Sequence, residues 1–355
     1  MNRKDVAKRF PVKVELHVHL DGAVRTQTIL DIGQKRGIKL PASTVDGLNK
    51  EIVISYGASL DTLLASFHIF APVFAGDRDA VYTMAYEFCE DCARQGIVYA
   101  EVRYSPHLLA NTFDKPAYAR ESGSFSPRDV VCTVNEALEK GSRDFNITVK
   151  SILACIRSSS EWSKEVASLC KEFRNSGVVG IDIAMSEFLS DQHPDECPHR
   201  QAFLTAKNDG IHRTTHAGEV GEPANVYEAL DDYYAERIGH GYRSILDAKL
   251  YERIKREGIH FETCPISSLK TAGASSRTDH PILRFATDGA NFSINTDDPT
   301  VLGNDLTDDY LMALEFGLTE KQIQTSIFNA AWSSFASDKE KQEIIKKLVE
   351  VYGEN

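Results

Sequence analysis

The sequence has few of the features that bind a polyanion or a membrane. Its 355 residues carry 40 Lys and Arg against 52 Asp and Glu, which gives a formal net charge of −12. It contains no long basic run, no glycine-rich phosphate fingerprint and no uncharged apolar run near the ~18 residues of a membrane span. Its first ten residues are polar and basic, and no apolar segment typical of a secretory signal follows them. We therefore expect a cytoplasmic protein that binds neither nucleic acid nor membranes.

Cysteine is also sparse, with seven residues at scattered positions. An odd number of scattered thiols favours a reducing compartment over a disulfide framework. Cys89 and Cys92 form a C-x-x-C pair in a stretch with helical character, but no second pair accompanies it. Packing therefore explains this pair better than a redox or metal site does.

Eight short runs rich in β-branched residues recur along the chain and are typical of buried parallel strands. They span residues 12–20, 98–105, 147–156, 178–184, 212–217, 237–240, 260–264 and 291–297. Hydrophobic residues make up 42% of the chain, which is enough for a large core. Strands that alternate with amphipathic helices predict an α/β fold, a single (β/α)8 TIM barrel that forms one catalytic domain over residues 1–355.

Apolar residues at helical spacing mark the segments between these strands. The predicted helices span residues 26–36, 60–70, 79–95, 129–145, 163–175 and 247–257, and the tail is helical from residue 319. The first three belong to a segment after the first strand that is too long for one crossover. We expect this helical insertion to cover the C-terminal mouth of the barrel.

Histidines mark the ends of three predicted strands. His17 and His19 project to the same side of the first strand, so their imidazoles can share one metal ion; a half-buried histidine pair is the alternative. His216, at the end of the fifth strand, is placed as a further ligand. His240 ends the sixth strand between two glycines, where it has little packing of its own, and this favours a functional role.

Carboxylates accompany these histidines. Glu219 follows His216 after a glycine and suits a general acid or base, although a glutamate that opens the next helix is the alternative. Asp297 and Asp298 follow the eighth strand, where adjacent acids repel each other unless a cation or donor holds them; a solvated loop is the alternative. Active sites of barrels lie at the C-terminal ends of the strands, where all these clusters fall. The joint pattern predicts one metal site with nitrogen and oxygen ligands. These ligands favour one Zn²⁺ per chain, with iron, cobalt, nickel and copper as the alternatives for an imidazole-rich site.

Together these motifs resemble the adenosine deaminase family, and the resemblance covers nearly the whole chain. It rests on His17-Val18-His19, His216-Ala217-Gly218-Glu219, Gly239-His240-Gly241 and Asn295-Thr296-Asp297-Asp298-Pro299. The resemblance implies a zinc hydrolase of purine metabolism that converts adenosine and 2′-deoxyadenosine to inosine, 2′-deoxyinosine and ammonia.

The resemblance also implies a role for each residue. His17, His19, His216 and Asp297 would hold the zinc ion. Glu219 would pass a proton to purine N1, and His240 would orient the zinc-activated water that attacks C6. Asp298 would bind N7, and Asp21 would bind the ribose 5′-hydroxyl. The implied substrate contacts as a set are His19, Asp21, Leu60, Leu63, Leu64, Phe67, Met185 and Asp298, of which the three leucines and Phe67 form an apolar lid.

Two positions bear on the choice of substrate. A carboxylate at Asp21 accepts a hydroxyl proton but repels a phosphate, which favours a nucleoside over a nucleotide; Asp21 as a helix cap is the alternative. Met185 stands where the family has a glycine whose N–H meets purine N3. We expect its Cβ and thioether to crowd the ring or to change backbone dihedral angles that glycine tolerates, and so to shift substrate affinity or preference.

Two other functions stay open at this stage. A sibling deaminase that acts on a modified adenosine nucleoside is one, and Met185 leaves room for it. A protein that binds nucleosides without turnover is the other, but every expected catalytic residue is present. The H-x-E…P-C-x-x-C signature of deaminases that act on bases in nucleic acid is absent.

Overall fold

The computed structural model describes residues 2–187, 197–271, 273–274 and 277–354. Eight parallel strands in sequential order form a nearly closed barrel. They are β1 (Lys13–His19), β2 (Ile97–Tyr104), β3 (Thr148–Ile156), β4 (Val178–Ala184), β5 (His212–Ala217), β6 (Arg237–His240), β7 (His260–Thr263) and β8 (Phe292–Ile294). The predicted TIM barrel is therefore confirmed; that residues 1–355 form one catalytic domain stays a prediction.

The strands match the predicted runs closely except at the end of β8. The predicted run extends to residue 297, but the ladder with β7 ends at Ile294. Beyond it, the chain turns towards β1, where Val18 and Asp297 form an isolated parallel bridge. His19 N donates to Asp297 O over 2.8 Å and Asp297 N donates to His17 O over 3.0 Å. These two bonds bring the last strand end against the first.

Helices alternate with the strands and extend the chain at both ends. They are α1 (Arg3–Arg9), α2 (Thr26–Lys35), α3 (Val45–Ile52), α4 (Leu60–Phe70), α5 (Arg78–Arg94), α6 (Pro106–Leu109), α7 (Pro127–Phe145), α8 (Ser163–Phe173), α9 (Pro198–Asn208), α10 (Pro223–Asp231), α11 (Ala248–Glu257), α12 (Pro265–Lys270), α13 (Pro281–Thr287), α14 (Pro299–Leu302), α15 (Leu306–Phe316), α16 (Glu320–Ser333) and α17 (Asp338–Tyr352). Every predicted helix is present within two residues at each end. Short helices such as α3 and α10 were not predicted, because eight or nine residues carry too little periodicity.

Two of the three helices predicted after β1, α4 and α5, have different positions. Helix α4 lies over the mouth, where Leu60, Leu63 and Phe67 line a cavity. Helix α5 packs instead against α7 and β2, as the outer helices of a barrel do. Its Cys89 and Cys92 are buried free thiols, which fits packing. Of these two helices, α4 therefore covers the mouth, and α5 does not.

The barrel interior contains ion pairs between strands that are not neighbours. Arg103 on β2 lies 3.0 Å from Asp182 on β4 and 2.6 Å from Glu262 on β7. Arg237 on β6 lies 2.6 Å from Glu101, which is also on β2. All five side chains have at most 1% exposure. A charged network therefore fills the barrel below its C-terminal mouth, while apolar side chains pack between the strands and the helices.

Two further observations concern the compartment and membrane binding. Within the described ranges, none of the helices combines the length and apolar character that a bilayer crossing needs. All seven cysteines lie in those ranges, and each is a free thiol.

Gly96 sets the close approach of the first two strands. Its φ is +77°, and its carbonyl accepts a hydrogen bond of 2.8 Å from Lys13 N. A Cβ at this position would lie 2.1 Å from the carbonyl oxygen of Pro11, which is backbone and cannot rotate away. Gly258, after α11, shares the positive φ (+67°) but has open space around its Cβ position.

We predict that Gly96→Ala destabilises the fold more than Gly258→Ala does. The left-handed backbone alone costs an L-residue about 1–2 kcal/mol, which is the loss expected for Gly258→Ala. Gly96→Ala adds a backbone clash, and we expect a total loss of about 3 kcal/mol or more. Urea denaturation of both variants measures the difference, and equal losses would contradict the role given to the Gly96–Pro11 contact.

Candidate active site

Three histidines and one aspartate bring their ligand atoms together at the mouth of the barrel. One atom from each of His17, His19, His216 and Asp297 lies within 4.8 Å of the others. His19 Nε2 is 3.1 Å from His216 Nε2, and Asp297 Oδ1 is 3.3 Å from His17 Nε2 and 3.4 Å from His19 Nε2. These are the four residues predicted to hold a metal ion.

Two buried carboxylates orient the histidines from below. His17 Nδ1 lies 2.8 Å from Glu262 Oε2, and His216 Nδ1 lies 3.0 Å from Asp182 Oδ2. Each carboxylate favours the tautomer that carries its proton on Nδ1, so the Nε2 lone pair points away from the carboxylate. Burial lowers the pKa of His216 to about 4, so this imidazole is neutral, which is the form that binds a metal.

The charges of these two carboxylates are secured by guanidinium groups. Burial favours the neutral acid, but Arg103 and Arg237 outweigh it and hold the pKa of Glu262 well below its usual range. In the same way, His216 and Arg103 outweigh burial and keep the pKa of Asp182 below its usual value. Both acids therefore stay ionised at neutral pH.

The donor set fits a divalent metal ion. His17 Nε2 is buried and has no hydrogen-bond partner among the residues that the structure describes. Three imidazole nitrogens and one carboxylate oxygen suit a tetrahedral or five-coordinate ion with an open position. A second group of close donors replaces His19 and His216 with His240 and Cys264. Burial raises the pKa of the Cys264 thiol well above its usual value, which disfavours the thiolate that a metal needs. The first group is therefore the better candidate for a metal site.

Glu219 and His240 lie next to this group. His240 Nε2 is 3.6 Å from Glu219 Oε2 and 3.9 Å from Asp297 Oδ2. Thr271 Oγ1 donates to Glu219 Oε1 over 3.2 Å. Burial, with the charges of Asp297 and Glu187, raises the pKa of Glu219 well above its usual value. Burial lowers the pKa of His240 well below its usual value, so it is neutral.

Two more acids line the other side of the cavity. Burial raises the pKa of Asp298 well above its usual value, and the charges of Asp297 and Asp21 act in the same direction. Burial likewise raises the pKa of Asp21. Asp298 Oδ1 is a buried oxygen without a hydrogen-bond partner in the described part of the chain. A protonated Asp298 can donate to an acceptor in the cavity.

One cavity joins these polar groups to an apolar wall. The predicted residues that line it are His19, Asp21, Leu60, Leu63, Leu64, Phe67, Met185, His216, Glu219, His240, Asp297 and Asp298. His17 lies below it, fully buried. The structure thus brings every predicted residue to one place, while their individual roles stay predictions. Ser105, Leu108 and Tyr118 also line the cavity and were not predicted, because they lie outside the charged motifs.

The positions of Glu219 and Asp21 contradict the alternative roles, in which Glu219 opens the next helix and Asp21 caps one. Helix α10 begins at Pro223 with Glu222 as its N-cap, and Glu219 is 3% exposed. Helix α2 begins at Thr26 with Arg25 as its N-cap, so Asp21 caps no helix there. Asp297 and Asp298 are also buried, which contradicts a solvated acidic loop.

Strained backbone angles occur at three residues of the site. His240 has a φ of +66°, Asp297 of +69° and Met185 of +81°. Such angles cost an L-residue about 1–3 kcal/mol each and persist only where the surroundings impose them. Met185 therefore keeps the positive φ that glycine tolerates, and the change from glycine acts through its side chain.

Several residues that support the site were not predicted. They are Asp182 and Glu262 below the histidines, Ser267, whose hydroxyl donates to Asp297 Oδ2 over 2.7 Å, Thr271, and Glu187. A charged residue inside an otherwise apolar strand was an available signal for Asp182 and Glu262. Loop and short-helix residues such as Thr271 gave no such signal.

The fold and the site define a barrel hydrolase with a metal-binding group of histidines and an aspartate. The family model for adenosine deaminase matches residues 12–351, and the chain belongs to this family. It is 46% identical to the adenosine deaminase of Xenopus laevis over 96% of each chain, and 46% identical to that of Bos taurus over 96% of this chain and 94% of the relative. A cog1816 amidohydrolase from Burkholderia ambifaria, solved with bound Zn, has a TM-score of 0.82 at 24% identity over 99% and 94% of the two chains, which shows the shared fold.

Substitution of the two adjacent aspartates tests the metal group. Asp297→Asn should weaken the binding of a divalent ion by about 100-fold or more, since even the loss of an outer hydrogen-bond partner costs 10–100-fold. Asp298→Asn should bind the ion as the wild type does, because Asp298 lies outside the group. Dialysis against graded chelator followed by metal analysis measures both, and equal losses would reject the assignment of Asp297.

Proposed function

We propose that this chain hydrolyses adenosine and 2′-deoxyadenosine to inosine, 2′-deoxyinosine and ammonia. Family membership over residues 12–351 supports the reaction class and the substrate. The observation that carries the proposal is the position of Glu219, beside the metal group and within the same cavity. A proton donor next to a metal-binding group is the arrangement that water addition to a purine ring requires.

We propose one zinc ion as the cofactor. His17, His19, His216 and Asp297 would hold it, and nitrogen and oxygen donors of this kind suit Zn²⁺ without a thiolate. The bound ion would supply a Lewis acid that makes water a good nucleophile near neutral pH. Hydrolysis transfers no electrons, so a redox-silent ion is sufficient.

Glu219 is suited to give a proton to the purine. Burial and the charges of Asp297 and Glu187 raise its pKa, which favours the protonated carboxyl group. Thr271 Oγ1 lies 3.2 Å from Oε1, and Oε2 lies on the side of His240, so we place the transferred proton on Oε2. Transfer of this proton to ring nitrogen N1 withdraws electrons from C6. The water oxygen can then add to C6, and the amino group leaves as ammonia after it takes up a proton.

His240 is suited to hold the attacking water. Its imidazole is neutral, and both ring nitrogens are buried without a hydrogen-bond partner among the described residues. Asp297 and Glu219 lie on the same side of the ring, within 4 Å of Nε2. A water molecule between these groups would face C6 while Glu219 faces N1. This orientation of the reacting groups would lower the activation barrier.

The remaining polar groups favour an unphosphorylated nucleoside. Purine N7 is an acceptor, so a protonated Asp298 can donate to it. Asp21 can bind the ribose 5′-hydroxyl. Among the described residues that line the cavity, none is lysine or arginine, and a 5′-phosphate beside Asp21 would meet negative charge without a cation. The acidic chain as a whole also disfavours a phosphorylated substrate.

For localisation, seven free thiols support the reducing cytoplasm that we propose.

Turnover of adenosine by the wild type and by Glu219→Gln tests the reaction. The ultraviolet spectrum changes as adenosine becomes inosine, so mixing the zinc-loaded protein with adenosine follows the reaction directly. We expect Glu219→Gln to lower kcat by about 10²–10⁴-fold, the usual contribution of a positioned acid or base. Glu222→Gln is the matched control, because this exposed residue of the same loop lies outside the cavity.

A zinc-loaded wild type without activity on adenosine would refute the proposed substrate. Activity on a modified nucleoside would then favour the sibling deaminase, and tight binding without turnover of any nucleoside would favour a binding protein. An active Glu219→Gln variant would leave the reaction in place but remove the role of Glu219.

One observation bears on which modified nucleosides the cavity can accept as a second candidate substrate. Met185 lines the cavity in place of the family's glycine, and its backbone already has the glycine-like φ. Its side chain is therefore the part that differs, and it occupies space beside the purine. We propose that Met185 restricts purines with a substituent near N3, at C2.

Two substitutions of Met185 separate the side chain from the backbone. Met185→Ala keeps the Cβ and the positive φ but removes the thioether, whereas Met185→Gly removes both the side chain and the strain. We expect both to raise kcat/KM for 2-chloroadenosine relative to adenosine by about tenfold, the effect of ~1.4 kcal/mol. Steady-state kinetics with the two substrates give this ratio. A ratio that neither variant changes would show that Met185 does not restrict the substrate.

A further inference from the structure

Three successive backbone N–H groups converge on the carboxylate of Glu187. Gly218 N donates to Oε2 over 2.7 Å, Glu219 N donates to Oε1 over 2.7 Å, and Val220 N donates to Oε1 over 3.2 Å. Successive N–H groups of this kind form a concave anion site, and here a side chain of the same chain fills it. The φ of +68° at Gly218 allows the backbone to curl around the carboxylate.

This turn carries Glu219 between the end of β5 and the start of α10. Arg243 N donates to Gly218 O over 2.9 Å, which fixes the first carbonyl of the turn. The three N–H groups of residues 218–220 are fixed by Glu187. Thr271 holds the Glu219 side chain at Oε1. Glu187 therefore supplies the main restraint on the backbone from which the Glu219 side chain extends.

Glu187 also connects this turn to the substrate cavity. Met185, two residues earlier, lines the cavity, and Ser186 Oγ donates to Asp61 Oδ1 on α4 over 3.2 Å. Segment 185–187 therefore contacts the cavity, the lid helix and the Glu219 turn in three consecutive residues. A shift of this segment would move the Glu219 backbone with it.

We propose that Glu187 is a positioning residue, which holds the 218–220 turn so that Glu219 faces the purine ring. This inference rests on the proposed function for the identity of the ring. Glu187 does not itself line the cavity. It acts through Glu219, and its removal would misplace the proton donor without removing a substrate contact. Misplacement of a reacting group by about 1 Å can lower a rate by about 100-fold.

Glu187→Gln and Gly221→Ala disturb this arrangement in different ways. The amide of Gln has one acceptor oxygen, and its NH2 group would face an N–H of the turn, so at least one bond is lost. Gly221→Ala keeps the carboxylate but places a Cβ 2.6 Å from Glu187 Oε2, which pushes it out of the turn. The same Cβ lies 2.6 Å from Asn225 Oδ1 and 3.1 Å from Glu187 Cβ, and the two oxygens are side-chain ends that can move. Glu222→Gln is the control in the same loop.

Hydrogen exchange of the turn tests the restraint without any substrate. In the zinc-loaded protein, we expect the amides of residues 218–220 to exchange about tenfold faster or more in Glu187→Gln and Gly221→Ala than in the wild type and Glu222→Gln. Zinc content and the urea midpoint should remain close to those of the wild type. Unchanged exchange at these amides in both variants overturns the proposal, whether or not adenosine is the substrate.

A double-mutant cycle tests whether Glu187 acts through Glu219. We expect Glu187→Gln to lower kcat on adenosine by about 10–100-fold with KM changed less than about threefold. In the Glu219→Gln background, the same substitution should have no further effect on kcat, because the group that it positions is already gone. An equal loss in both backgrounds overturns the proposal. A wild type without activity on adenosine refutes the proposed function instead, and the exchange experiment still decides the role of Glu187.

Discussion

The geometry of the site depends on one buried carboxylate, that of Glu262. Its Oε2 accepts hydrogen bonds from Arg103 on β2 and lies 2.8 Å from His17 Nδ1 on β1. Its Oε1 accepts from Thr214 on β5 and Arg237 on β6 over 2.8 and 2.7 Å. One side chain of β7 thus ties four other strands together and uses all four of its acceptor positions. Loss of one partner from such a network leaves an uncompensated buried charge, which costs about 3–5 kcal/mol.

The metal group follows from this network. Glu262 and Asp182 fix the rings of His17 and His216, and Arg103 bonds to both carboxylates, so the two rings are oriented by one connected set of charges. The strands supply rigidity, and the ion pairs supply orientation. His240 and Asp297 keep strained positive φ angles because the surrounding barrel imposes these backbone conformations.

The sequence predicted the parts of the protein that depend on periodicity and on strand ends. All eight strands follow from the apolar runs, and the group of His17, His19, His216 and Asp297 follows from histidines and an aspartate near the ends of those runs. Glu262 and Asp182 could have been predicted from the sequence, because each is a charged residue within an apolar strand. Glu187 and Thr271 could not, because their contacts join segments far apart in the chain through loops whose conformation no local pattern encodes. The different positions of α4 and α5 also could not be predicted, because they depend on tertiary packing alone.

Precision within the site is divided unequally among the structural elements. The three histidines of the metal group lie on strands, and Asp297 is bonded to β1 by an isolated bridge, whereas Glu219 lies on a turn without such a ladder. A turn can hold a proton donor within the ~0.5 Å that such chemistry needs only if something outside the turn restrains it. Glu187 and Thr271 meet that need at the backbone and at the carboxyl group respectively. Because Glu187 shares its segment with Met185 and Ser186, the residues that contact the cavity and the lid are joined to the restraint on Glu219. We therefore expect a substitution at Met185 to act on two quantities at once, the space in the cavity and the position of Glu219.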